Sequence, residues 1–503
     1  MLAASCMLFS CAKETIVDPP APEPSRPEES AHLLDFGVLA DGRTYSPIDT
    51  TGGHFSIFVP IGTDLSQLVL QFNDRDYTVK LNGEQLESGA SVCSFRDYKN
   101  GTPFQITSAD GKTKNCTVRV LDTQLPVVSV TTTDRPGSIT SRVTWREAVI
   151  RIRTADGKMQ ELGTTGIRGR GNWTWEKYPK KPYALKLDHR QEVLGMPAHK
   201  RWVLLALYRG FIGNALMFEA TRRASALGWA PRGCFVEMVL NGKYQGLYYL
   251  CEAIKIDRNR VNITELKTGD VTYPAVSGGY LLEYDELFDE TFKFKTQRFH
   301  LPVQLKAPND TVPDAQLDYI RGFINDMETE LLKIGTSEES HYSDYLDPVS
   351  FADYWLVLET VGNYEAWKPR SVKMYKGRDG VDSPAGTVCR LKAGPLWDQE
   401  LFQVNKSFNS RNMYYYKYLF KDPAFVALVK ERWALYKSSI LGNENYEGFL
   451  DYLNAMVAQI KESARRDIAY WDNPYFTLGG EVSPVRTGFL SKIEWMDRQI
   501  QGL

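Results

Sequence analysis

An α+β fold follows from three observations on the 503-residue chain. Short β-type segments crowd the region up to about residue 310, helical patterns dominate from about 313 to 503, and no regular strand–helix–strand alternation joins the two. Hydrophobic content of 43% and charged content of 24% leave ample material for a core and suit a folded chain. The chain carries 60 Lys and Arg against 62 Asp and Glu, a balance that argues against a nucleic-acid binder. No internal repeat is visible.

The elements divide the chain in order. Residues 1–11, "MLAASCMLFSC", resemble a shortened bacterial lipoprotein signal, with Cys11 as the lipidated residue, although a basic segment ahead of the apolar run is missing. Residues 12–31 are rich in Pro and Glu and read as a disordered tether. Together they place the protein in the cell envelope, on a lipid anchor only, since no further apolar run is long enough to span a bilayer.

Residues 32–124 read as an all-β module. "HFSIFVP", "QLVLQF", "TVKLNGEQL", "PFQITSAD" and "CTVRVL" are short, rich in Val, Ile, Thr and Phe, and spaced as in a sandwich. The module resembles the immunoglobulin-like spacer domains of surface lipoproteins, whose work is spacing or weak contact. Cys93 and Cys116 both fall in it, and a bridge between them is open. With no Cys-x-x-Cys pair and six scattered histidines, a zinc site is not expected.

From 126 to about 310 strands dominate, interrupted by a helix over 214–227. "CFVEMVLNGKYQGLYYLCEAI" (234–254) is a hairpin on the turn Asn241-Gly242, and 277–285 is a further strand. Beyond 313, four helical runs follow: "DAQLDYIRGFINDMETELLKI", "SFADYWLVLETVG", "DPAFVALVKERWALYKSSIL" and "YEGFLDYLNAMVAQIKESARRDIAYW".

The chemistry concentrates in two stretches. "GIRGRGNWTWEKYPKKPYALKLD" (166–188) alternates glycines with arginines before a basic strand. Glycines allow close backbone approach and positive φ, exposed amides can bind an anion, and Arg168 and Arg170 can fork onto phosphate oxygens, with Lys186 as a point charge. Most glycine-rich turns between strands bind nothing, so this stretch alone is a weak signal. The second stretch carries Asn363, Glu365 and Arg370, then Asp398 and Glu400 after an apolar Pro-Leu-Trp. Two such carboxylates suit phosphoryl transfer, one positioning the attacking hydroxyl and the other holding Mg²⁺ against the phosphates. From spacing alone, the favoured explanation is Asp398 as a turn cap and Glu365 as a solvated surface group.

The ordered run of "GIRGRGNWTW", "KKPYALKLD", "LGMPAHKRWVLLA", "FVEMVLNGKYQGLYYLCEAIKIDRNRVNI", "GGYLLEYD", "NYE", "SVKMYK" and "GPLWDQE" is similar to the spore-coat protein H (CotH) kinase family over residues ~160–405. The resemblance implies a divergent, atypical protein-kinase-like fold that uses ATP with Mg²⁺ or Mn²⁺ to phosphorylate Ser/Thr of secreted or surface proteins. It places Arg168, Gly169, Arg170, Gly171 and Asn172 near the phosphates and favours Lys186 as the nucleotide lysine, with Lys181 close behind. Glu219, or alternatively Glu252, would orient that lysine. Asp398 matches the metal-binding aspartate, with Glu400 as the second acidic position. The chain departs from the family pattern with Glu365 in place of the catalytic aspartate and Gly213 in place of an arginine. A pseudokinase, or a surface lipoprotein that binds a protein or glycan partner, is therefore the alternative. A two-carboxylate glycoside hydrolase is weaker, since it gives no task to the glycine/arginine motif.

Overall fold

The computed structural model describes residues 35–444 and 447–503. The lipoprotein signal with Cys11 and the tether over 12–31 lie outside the described residues. Strands and helices combine as an α+β chain, and among the described residues no helix is long and apolar enough to cross a membrane.

Residues 37–123 form two sheets. One has four strands, ordered Arg43–Tyr45, Gly37–Ala40, Leu68–Gln71 and Val92–Cys93. The other has five, ordered His54–Pro60, Thr113–Thr123, Thr102–Ser108, Tyr77–Leu81 and Glu84–Gln85. Phe36, Phe55, Ile57, Phe104, Val118 and Val120 fill the space between them. Cys93 and Cys116 are buried in this core and both are free, so the bridge left open by the sequence is not made.

His54–Pro60 reads as a nearly continuous apolar run because both of its faces are covered. Phe55, Ile57 and Val59 face their own core, whereas Phe58 and its neighbour Leu121 pack with Val127, Val239 and Tyr244 of the next unit. The module is thus docked rather than held at a distance. Ser56 Oγ donates to Gly242 O at 2.8 Å, Arg153 Nη1 to Phe58 O at 2.7 Å, and Thr131 Oγ1 to Asp49 Oδ2 at 2.8 Å. The hairpin turn meets the module directly. Gly242 has φ +75°, and a Cβ there would stand 2.4 Å from His54 O. Only glycine fits.

Seven strands then close a barrel: Val127–Thr132, Arg146–Arg153, Met159–Gly169, Tyr183–Val193, Met196–Ala206, Lys243–Glu252 and Gly233–Leu240, the last pairing in parallel with the first. Alternation along the strands sends Leu185, Leu187, Trp202, Leu204, Tyr248 and Leu250 inward. It turns Val203, Leu205, Tyr249 and Cys251 outward onto the main core.

A five-stranded sheet follows, ordered Lys293–Lys295, Pro302–Ala307, Tyr280–Tyr284, Val372–Lys376 and Lys392–Ala393. Its last two strands come from the half that reads as helical, so the two halves share one sheet. Helix Pro348–Val361 is apolar all round because it is buried all round. Asp347 caps it by accepting from Ser350 N, and Gly362 ends it in the left-handed conformation. The C-terminal helix Leu478–Gln501 was not among the expected helices. Gly479, Gly480 and Pro484 read as breakers, yet Thr477 caps the helix by accepting from Gly480 N, and the chain continues past the proline.

Candidate functional site

Glycines of the 166–171 motif make room for indoles. A Cβ on Gly166 would stand 2.9 Å from the Trp145 ring, and one on Gly169 2.3 Å from the Trp175 ring. Gly171 has φ +78° and would meet Thr174 Oγ1 at 2.4 Å. Backbone amides of the motif are already engaged, with Gly169 N donating to Ser141 O at 2.8 Å and Arg170 N to Pro182 O at 3.2 Å. Asn172 accepts from Arg142, which also donates to Gly171 O. The amides of Gly169 and Arg170 thus hold local structure, while Arg168 and Arg170 offer a ligand their guanidinium groups.

Arg170 is brought to the carboxylates. Its guanidinium lies over the Trp397 ring at 5.4 Å, and burial, which lowers its pKa, is opposed first by Asp398. Asn363-Tyr364-Glu365 follows the Gly362 cap, and polar contacts lock this loop to the Trp397-Asp398 segment. Asn363 Nδ2 donates to Gln399 Oε1 at 2.7 Å, and Gln399 N donates to Asn214 Oδ1 at 3.1 Å. Asp398 is held at φ +71° and Ser371, 3.5 Å from its carboxylate, at φ +54°. Strain of this kind in non-glycine residues persists where surrounding contacts over-determine it, and it gathers at functional sites.

The three acidic side chains crowd one another. Burial, then the charges of Asp398 and Glu400, push the Glu365 carboxyl up to about 7 against the opposing pull of Arg370. Glu400 is likewise pushed up to about 7 by burial and Asp398, with Arg209 opposing. Asp285 accepts from Ser371 N at 3.0 Å, and burial raises its carboxyl as well.

Packing leaves no room for a side chain at Gly213, where the resemblance implies an arginine. A Cβ would lie 2.3 Å from Glu400 O and 2.5 Å from Gln399 O. Four residues earlier, Arg209 Nη1 lies 3.4 Å from Glu400 Oε2.

A basic patch sits on the barrel's outer face. Arg168 and Arg201 lie over the Trp145 ring at 4.6 and 5.1 Å. Burial, then Arg201 and Lys306, lower the Lys255 pKa, with Arg168 adding to the effect. Arg168 Nε is buried without a hydrogen-bond partner. Lys306 links the patch to the sheet, 3.1 Å from Glu283, which also pairs with Lys373 at 2.5 Å. Burial works to raise the Glu283 carboxyl, but Lys373 and Lys306 hold it down at about 2. Glu283 also acts on Arg170. Charges thus run in one series from the three carboxylates through Arg170, Glu283 and Lys306 to Lys255, Arg201 and Arg168.

Lys186 lies on this face at the patch edge, exposed and in register between Gly166 and Arg201. It is not among the charges acting on Glu365, Glu400 or Arg170. Lys181 donates to Trp175 O and lies over that ring. Neither expected partner of Lys186 is free for it. Glu219 pairs with Arg222 and Arg223. Glu252 is fully buried with Arg232 and Arg260, because its strand position points it into the barrel junction rather than along the patch. Sequence reading passed over Arg201, Arg209, Lys255 and Asp285. No local pattern marks them: Arg201 is set by strand register, whereas Arg209, Lys255 and Asp285 follow the ends of strands and are placed by the tertiary fold.

Among the described residues, no group of three His, Cys, Asp or Glu side chains is arranged as a metal cage. Mg²⁺ in nucleotide sites keeps several waters and takes one or two carboxylates plus phosphate oxygens. Asp398 with Glu400 fits an ion that arrives with its phosphates.

Among curated proteins, none matches the chain. One solved structure, of a Bacteroides thetaiotaomicron protein put forward as a glycoside hydrolase, is 16% identical over 60% of this chain and 88% of that one, with a TM-score of 0.17. A likeness that weak carries no statement about fold or chemistry. The model of the family described as CotH kinase protein matches residues 167–497, which include every carboxylate and cation of the site and stretch over about two thirds of the sequence. By that match the chain belongs to the CotH kinase protein family.

Proposed function

We propose that the protein transfers the γ-phosphoryl group of ATP to a Ser or Thr hydroxyl of a secreted or surface protein. The carrying observation is that Glu365, Asp398 and Glu400 are left crowding one another while a surplus of cations lies at the other end of the same charge series. A magnesium nucleotide supplies what each end lacks. Arg170, Lys255, Arg201 and Arg168 bind phosphate oxygens, and Asp398 with Glu400 would hold the divalent ion, which neutralises charge on the phosphates.

Glu365 is the group that receives the hydroxyl proton. A base works best with a pKa near the operating pH, and its raised value of about 7 meets that condition. The hydroxyl oxygen then bonds to the γ phosphorus as the bond to the bridging oxygen breaks, and ADP leaves with that electron pair. Asn363, Gln399 and Asn214 keep the two carboxylate loops in register during the step.

This reading extends to a divergent kinase-like fold over 126–503, an immunoglobulin-like module over 32–124, and a lipid anchor on Cys11 that places the enzyme in the cell envelope. The test is autophosphorylation, or labelling of envelope extracts, with γ-labelled ATP and Mg²⁺ or Mn²⁺. Label on Ser or Thr, lost in Asp398→Ala, is expected. Nucleotide-dependent thermal stabilisation without any label supports a pseudokinase instead, and no response to nucleotide supports a binding module.

A further inference from the structure

A second concave site lies away from the carboxylates. Strand Val372–Lys376 begins beside Ser371 and Asp398, and five residues at about 3.3 Å each carry it roughly 16 Å to its other end. Lys373 points to Glu283, on the side of the charge series, whereas Lys376 points to the opposite face, beneath helix Asp314–Lys333. There a groove of about 540 Å³ opens, within the range of ligand sites.

Four aromatic rings form it: Tyr319 and Phe323 on the helix, Tyr345 beyond it, and Tyr273, which is 69% exposed. Phe323 and Tyr345 meet at 5.3 Å between centroids, and Tyr319 and Phe323 at 6.4 Å. Three carboxylates, Glu330, Asp344 and Asp379, line the same space, and no lysine or arginine does. Glu330 is paired with Lys333 and Asp379 with Lys376. No ion pair among the described residues engages Asp344, or the nearby Asp326, which with Asp344 acts on Tyr345. Lys376 already lies over the Tyr319 and Phe323 rings at 5.6 and 4.8 Å, so the groove offers a ligand the Tyr273 and Tyr345 rings beside the exposed carboxylate of Asp344.

We propose that this groove docks an arginine side chain of a partner polypeptide. A guanidinium stacks on tyrosine faces and is less strongly hydrated than an ammonium, so the two features of the groove act on one group. A sugar would stack on the same rings but needs free polar partners, and two of the three carboxylates are already committed internally. Occupancy here leaves the phosphate-binding face untouched, so the partner binds with or without nucleotide.

The test is fluorescence polarisation of the full-length protein with a fluorescein-labelled Arg-Gly repeat hexapeptide, beside a Gln-Gly repeat of equal length. The arginine peptide is expected to bind, more weakly at 0.5 M than at 0.05 M salt, and the glutamine peptide at least about tenfold more weakly. Tyr273→Ala and Asp344→Asn should each weaken the arginine peptide about tenfold or more with an unchanged melting temperature, because Tyr273 is largely exposed and Asp344 has no partner to lose. Equal binding of both peptides overturns the proposal. So does binding indifferent to both substitutions, or stabilisation by an oligosaccharide with none by the arginine peptide. Nucleotide binding, measured on the same variants, stays unchanged whichever way the peptide result falls, so the two readings fail separately.

Discussion

Two charged regions of the molecule are built on opposite plans. At the junction between the first module, the barrel and helix Phe449–Tyr470, Arg466 is 1% exposed and joins Asp122 at 2.7 Å and Glu237 at 3.0 Å. Glu237 also accepts from Ser463 Oγ at 2.5 Å and Tyr244 OH at 2.7 Å. Nearby, Lys180 and Asp467 form a buried pair at 2.6 Å, with Leu247 supplying its carbonyl to the lysine and its amide to the aspartate. Every charge there has a partner of opposite sign and further hydrogen bonds. Although burial pushes the Asp467 carboxyl up to about 6, Lys180 opposes it directly. At the face of Glu365, Asp398 and Glu400, three carboxylates share Arg170, Arg209 and Arg370, and two of them are pushed towards neutrality. Compensated burial marks a joint. Uncompensated crowding marks a site waiting for charge from outside.

Substitutions sharpen this contrast, beginning with the joint. Arg466→Ala leaves Glu237 buried without its cation and should cost about 3–5 kcal/mol, read as a lower denaturation midpoint. The carboxylate face should respond in activity and not in stability. Asp398→Ala is expected to lower labelled-phosphate transfer about a thousandfold or more, equivalent to about 4 kcal/mol of barrier, while the melting temperature holds or rises as repulsion is relieved. Glu365→Gln should lower kcat about a hundredfold with little change in the KM for ATP. Among the cations, Lys255→Met should raise the KM for ATP more than Lys186→Met, since Lys255 lies inside the patch and Lys186 at its edge.

The smallest effect is in pH. Burial and the charge of Asp398 push the Glu365 and Glu400 carboxyls up to about 7, from an ordinary value of 4.5. Between those values the folded chain holds more protons than the unfolded one, so their contribution to stability falls as pH rises through that window and levels off above it. Mg²⁺ should therefore raise the melting temperature at pH 8 and scarcely at pH 5. An equal shift at both pH values would remove the electrostatic distinction between the two regions.

Much of the fold was legible where the signal is local. His54–Pro60, the hairpin about Asn241-Gly242 and the helix Pro348–Val361 follow from apolar runs, turn residues and caps. Barrel closure was not legible, because the parallel contact of Val127–Thr132 with Gly233–Leu240 joins segments about a hundred residues apart. Docking of the first module was hidden for the same reason, since Phe58 and Leu121 look like core residues of their own sheet. For the site, Glu365, Asp398, Glu400 and Arg170 carried a motif signal and do converge. The lysine did not follow from the motif. Strand alternation sends Lys186 to the correct face but cannot say how far along that face the carboxylates lie, and it is Lys255, beyond the strand end, that lies among Arg201, Lys306 and Arg168.

The most direct test is isothermal titration of Mg²⁺-ADP into the full-length protein at pH 8, beside Asp398→Ala and Lys255→Met. The account predicts one metal-dependent site, weakened about tenfold or more by each substitution, because one removes the ion's ligand and the other a phosphate's cation. Absent binding, or an affinity that neither substitution changes, contradicts it.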